Sequence, residues 1–161
     1  MSIPARQSTA SEGTARRAVS AEAAEMARFE SFTVAVQRRE HITIVQPRGE
    51  LDIATVETLR TTFDAAIADT LRAAPDGTES SPRLVLDLRG LSFIDSSGLH
   101  LLRAVDQRAK RDGFQLTLVA PTAPVERAIQ LCGLDQVLTF VAPDALEREP
   151  AKSASGAQGG G

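Results

Sequence analysis

The sequence predicts an α/β fold: a mixed, mostly parallel sheet of about five strands packed against helices, in the order ββαβαβαβ with a last helical turn. Three observations carry this expectation. Two short runs, FTVAV and HITIV, alternate apolar and polar residues. Three later runs, RLVLDL, QLTLVA and VLTFV, are nearly all apolar. Between and around them, apolar residues recur at three- and four-residue steps, the spacing of one helix face.

FTVAV places Phe32, Val34 and Val36 on one face, and HITIV follows a polar break at Arg38–Glu40. Such a pair reads as two antiparallel strands. The second run is expected to close in a turn, PRGELD, containing Gly49. Val56, Leu59, Phe63, Ile67 and Leu71 then form a helix stripe, with Asp52 or Thr55 as candidate N-cap. PDGTESSP breaks that helix into an exposed loop. RLVLDL has the composition of a central strand covered on both faces. The helical period returns after DSSG with Leu99, Leu102, Val105 and Ala109 and stops near Gly113. QLTLVA is a buried strand, PVERAIQLCGL a short helix from Pro124 to Gly133, VLTFV a last strand, and APDALERE a final turn or two.

At 161 residues and 42% hydrophobic, the chain supports one domain. We expect a flexible tail over 1–29, a domain over 30–149 and a disordered Gly/Ser/Ala-rich tail over 150–161, because neither end offers enough apolar surface to offset ordering entropy. AEAAEMARF in the first tail suits a transient helix. A net charge of −3, with no Trp or Tyr, argues against nucleic-acid binding. No apolar run approaches the roughly 20 residues of a membrane span, and no secretory leader is evident, so a soluble cytoplasmic protein is expected. Cys132 excludes an internal disulfide and reads as a small core residue on a helix. His41 and His100 are too few for a metal centre. Neither a metal nor a cofactor is expected, and no phosphate-loop motif occurs.

The informative stretch is LVLDLRGLSFIDSSGLHLL. An apolar run stops at an acid and two hydroxyls, then becomes helical at once. Asp95 or Ser96 suits a helix N-cap, and Gly98 permits a close approach. Capping explains one acid or one hydroxyl, not two adjacent hydroxyls. The carboxyl end of a strand leading into a helix is also where α/β sheets display functional groups. Ser96 and His100, four residues apart, could share a helix face beside Asp95, yet a hydrolase would need an elbow motif and an orienting third group that this sequence does not offer. An enzyme is therefore not expected. Asp87 reads as a strand-end or turn acid, and His100 as a surface or partner-facing residue.

GELDIATVETLR, LVLDLRGLSFIDSSGLHLL and APTAPVERAIQLCGLDQVLTF together resemble the signature stretches of the STAS-domain anti-sigma factor antagonists, over roughly Phe32 to Glu147. The resemblance implies a STAS fold and a non-enzymatic regulator. It implies that Ser96 is phosphorylated by an anti-sigma factor that is itself a serine kinase with a histidine-kinase-like ATPase fold, and that a PP2C-type phosphatase reverses this. The unphosphorylated antagonist would bind that kinase and release the sigma factor. The implied partner surface comprises Asp52, Asp95, Ser96, Ser97, Gly98 and Leu99, with Ser97 the competing phosphosite. His100 stands where small or variable residues are common, and the PDGTESSP loop is long. The alternative within the same fold is a stressosome scaffold or the cytoplasmic subunit of a lipid-transport ABC system.

Overall fold

A computed structural model describes residues 32–73 and 81–148. The expected terminal tails, the transient helix, and most of the PDGTESSP loop lie outside the described residues. Strands β1 (Thr33–Arg39) and β2 (Ile42–Leu51) form an antiparallel hairpin. Helix α1 (Val56–Arg72) follows, then β3 (Arg83–Asp87), a 3₁₀ turn over Leu88–Gly90, and β4 (Leu91–Ile94). Helix α2 (Ser96–Asp112), β5 (Gln115–Val119), α3 (Ala123–Leu131), a second 3₁₀ turn over Leu134–Gln136, β6 (Phe140–Val141) and α4 (Ala145–Arg148) complete the order.

The sheet runs β1-β2-β3-β5-β6, with β4 paired to β2. Every pairing except β1–β2 is parallel. Leu59, Phe63, Leu99, Leu102, Val105, Val125 and Ile129 place α1, α2 and α3 against one buried cluster with Val45, Leu84 and Leu86. Ile44, Val85 and Val119 form a smaller cluster, against which Leu146 of α4 packs. Leu84, Val85 and Leu86 are fully buried, as expected of a strand covered on both faces.

Four details differ from the sequence expectation. PRGELD is not a turn: β2 continues through it to Leu51. The strand pairs with β3 over Ile42–Val45 and with β4 over Gly49–Leu51, and the register shifts between Gly49 and Glu50. Gly49, at φ 100°, absorbs that bulge. Pro47 falls between the two pairings, where its missing N–H costs no parallel ladder bond. Beyond the strand expected at RLVLDL, the following LSFI forms a strand of its own, β4, the sixth where about five were expected. Asp87 caps the 3₁₀ turn between them by accepting from the Arg89 N–H. The VLTFV strand shrinks to Phe140–Val141, because Leu134–Gln136 forms a 3₁₀ turn that buries Leu134 and Leu138.

Cys132 is exposed, not a core residue. It continues the stripe of Val125 and Ile129 in sequence, but α3 ends at Leu131 and Gly133, at φ 69°, turns the chain away. Leu134 occupies the core instead.

Candidate functional site

The site is built where two chain segments leave the carboxyl ends of β2 and β4. These strands are neighbours, with Leu51 opposite Ile94, and the Asp95 N–H donates to the Leu51 carbonyl at 3.0 Å. The turn Asp52–Thr55 and the start of α2 are thereby brought side by side.

Asp95 is extended at φ −103°, ψ −174°, and is the N-cap of α2. Its Oδ1 accepts from the Ser97 N–H at 2.9 Å and the Gly98 N–H at 3.2 Å, which satisfies two of the free donors of the first helical turn. The Ser97 hydroxyl donates to the same oxygen at 2.5 Å. Oδ2 accepts from the Ile53 N–H, 3.1 Å away on the opposite segment. One carboxylate thus caps the helix and ties the facing turn to it. Burial pushes the Asp95 carboxyl up, but the hydrogen bonds from the Ser97 hydroxyl and from the Gly98, Ser97 and Ile53 N–H groups outweigh it and hold the group below its ordinary value.

The two serines differ. Ser96 is exposed at the first position of α2, and no hydrogen bond engages its hydroxyl among the described residues. Ser97 is half-buried and committed to Asp95. Asp52 is half-buried, and its Oδ1 accepts from the Ala54 N–H at 2.9 Å and the Thr55 N–H at 3.1 Å, a turn that precedes α1. Thr55 occupies the N-cap position of α1 without a side-chain cap bond. Its hydroxyl donates to the Glu50 carbonyl at 2.8 Å, bracing the turn against the end of β2.

Gly98 and Leu99, expected to belong to the partner surface, lie buried beneath it. A Cβ at Gly98 would sit 2.7 Å from Ile94 Cγ1 and 2.9 Å from Leu51 Cγ, so glycine lets α2 start directly on the two strands. His100 is exposed on α2, and no hydrogen bond joins it to Ser96. His41 is exposed in the β1–β2 turn. No group of three or more His, Cys, Asp or Glu is placed to hold a metal among the described residues, and no described helix is long and apolar enough to cross a membrane.

Sequence reasoning missed Ile53. It is 77% exposed on the turn that Asp95 holds. Phe93 of β4, opposite Glu50, is also exposed. The available signal was a large apolar residue inside the otherwise small and polar Asp52–Thr55 turn, ahead of the α1 stripe.

A mixed sheet that starts its helices at the strands' carboxyl ends, with an acid-capped Ser-Ser-Gly at one of those starts, defines the class: a small α/β domain displaying a polar turn. The family is shown by comparison. The STAS domain model matches residues 33–144, and the chain belongs to the STAS-domain family. It is 30% identical over 103 residues to the anti-sigma-F factor antagonist RsfA of Mycobacterium tuberculosis, covering 64% of this chain and 74% of that protein. An anti-sigma factor antagonist from Mycobacterium paratuberculosis superposes with a TM-score of 0.59 at 30% identity, over 73% of this chain and 92% of that one. Unphosphorylated SpoIIAA, an anti-sigma factor antagonist, shares the fold with a TM-score of 0.54 at 21% identity, over 73% and 93% of the two chains. The chain is therefore an α/β STAS domain homologous to proteins named anti-sigma factor antagonists.

Proposed function

We propose that this chain is an anti-sigma factor antagonist switched by phosphorylation of Ser96. The unmodified form binds a cognate anti-sigma factor that is a serine kinase with a histidine-kinase-like ATPase fold, and so releases the sigma factor. The kinase supplies ATP and Mg²⁺ and transfers phosphate to Ser96, which ends binding. A PP2C-type phosphatase restores the serine.

The observation that carries this reading is the inequality of the two hydroxyls. Ser96 is exposed and unengaged, while Ser97 is half-buried and bonded to Asp95. A kinase reaches the first more readily than the second. Phosphate adds about −1.5 to −2 charges at neutral pH. At a helix start it meets N–H groups and the positive end of the dipole, so the fold tolerates it. The cost falls on the interface, where a surface that docked a neutral hydroxyl would have to bury a dianion beside the Asp95 carboxylate. About 1.4 kcal/mol is enough for a tenfold loss of affinity.

The test is a pull-down from the native cell extract with wild-type, Ser96→Ala and Ser96→Asp baits, followed by mass spectrometry. An ATP-binding anti-sigma factor on wild type and Ala, but not on Asp, is the expected result. Incubating that protein with wild type and ATP should place phosphate on Ser96. Capture indifferent to residue 96, or phosphate on Ser97, would refute the switch.

A further inference from the structure

We infer that Asp95 is a positioning residue that couples the state of Ser96 to the Asp52–Thr55 turn, and that Ile53 on that turn is a specificity-determining contact for the partner. This deepens the proposed function and rests on it for the partner's identity. The observations are independent of it. Ile53 presents a large apolar side chain, 77% exposed, and its own N–H is bonded to Asp95 Oδ2 at 3.1 Å. The other oxygen of the same carboxylate caps α2 through Ser97 and Gly98. The carboxylate therefore bridges Ser97, the residue next to the proposed phosphosite, and the backbone N–H of Ile53, whose side chain faces solvent.

Phosphate on Ser96 acts on this bridge in two ways. Its charge repels the neighbouring carboxylate, and its oxygens compete for the first-turn N–H groups that Asp95 accepts from. Both draw Asp95 away from the arrangement in which Oδ2 meets Ile53. The turn then loses the bond that joins it to α2, although Thr55 still braces its far side against Glu50. An apolar side chain gives up binding energy when the backbone carrying it must be reordered at the interface. Phosphorylation thus weakens docking at a residue the phosphate does not touch.

The experiment uses the full chain, isotopically labelled for NMR, as wild type, with phosphoserine genetically installed at position 96, and as Asp95→Asn. Asparagine keeps one oxygen for the helix cap, but its amide nitrogen cannot accept from the Ile53 N–H. Hydrogen exchange at the Ile53 amide is read against the Leu99 amide, which is bonded to the Asp95 carbonyl within α2. Both altered proteins should raise the Ile53-to-Leu99 exchange ratio by at least about threefold. An unchanged ratio in the phosphoserine protein would overturn the coupling. In a second arm, Ile53→Ser should weaken binding of the ATP-binding protein captured by wild type at least about tenfold, with unchanged circular dichroism. Leu131→Ser, at an apolar residue 81% exposed on α3, should leave binding intact. Equal effects of the two changes, or none from Ile53→Ser, would overturn the contact. A wild-type bait that captures no ATP-binding protein would overturn the functional reading and the docking role with it. The exchange ratio would still decide the coupling.

Discussion

At position 96 a hydroxyl stands free at a helix start, and at position 97 the same group is consumed by a cap; one residue of separation changes what each can do. Ser96→Ala removes an exposed hydroxyl that no hydrogen bond engages among the described residues, so thermal stability should stay within about 0.5 kcal/mol of wild type, and under the proposed switch phosphate incorporation should disappear. Ser96→Asp should leave the fold intact and reduce affinity for the captured anti-sigma factor at least about tenfold, a difference of about 1.4 kcal/mol by titration calorimetry. Equal affinity of the Ala and Asp forms would remove the electrostatic argument. Gly98 is constrained more tightly, because its missing Cβ is the space occupied by Ile94 and Leu51. Gly98→Val should destabilise by about 1–3 kcal/mol in urea unfolding. It should also impair binding by lifting α2 from the strands.

The elements that carry the site are set by packing and by their ends. In α1, Leu59, Phe63 and Ile67 are fully buried, as the stripe predicts, so Phe63→Ala should cost about 3–5 kcal/mol. The end of α2 is closed by a left-handed Gly113, whose N–H donates to the Ala109 carbonyl. Gly113 has φ 81° with open space where a Cβ would stand. Gly113→Ala should therefore lower stability by about 1 kcal/mol through left-handed backbone strain, without disturbing Ser96. A calorimetric loss near zero would show that the helix end relaxes. The bulge at Gly49 lets β2 serve two partners in succession. It brings β4 beside the end of β2, and so places Asp95 opposite Ile53.

For the whole molecule, a buried acid, Asp87, and a half-buried one, Asp95, link folding to pH. Burial pushes the Asp87 carboxyl up, but hydrogen bonds from the Arg89 and Gln46 side chains, the Arg89 N–H and the nearby Arg89 charge hold it below its ordinary value. Asp95 is lowered in the same sense. A carboxyl whose folded pKa lies below its unfolded value, about 3.9 for Asp, contributes stability that is complete above the unfolded value. That contribution is lost as pH falls through the folded one. Urea unfolding at a series of pH values should show no loss from these groups between pH 7 and about 5 and a decline on further acidification. Asp87→Asn should be less stable at neutral pH, because Arg89 loses its partner, and should decline less steeply in acid. A steeper acid limb in that variant would contradict the linkage. By itself, the sequence determined the layer architecture, the helix stripes, the central strand and the capping roles open to Asp95, Ser96 and Asp52, because hydrophobic period and capping chemistry act over a few residues. The candidacy of Ser96 as a phosphosite came from the resemblance to a family. The sixth strand, the exposure of Cys132, the burial of Gly98 and Leu99, and the bond from Ile53 to Asp95 were decided only by the tertiary structure. Each depends on which distant segment lies alongside. Asp95 and Ile53 are 42 residues apart, and no local pattern records that β2 changes partner at a bulge and brings them within 3.1 Å.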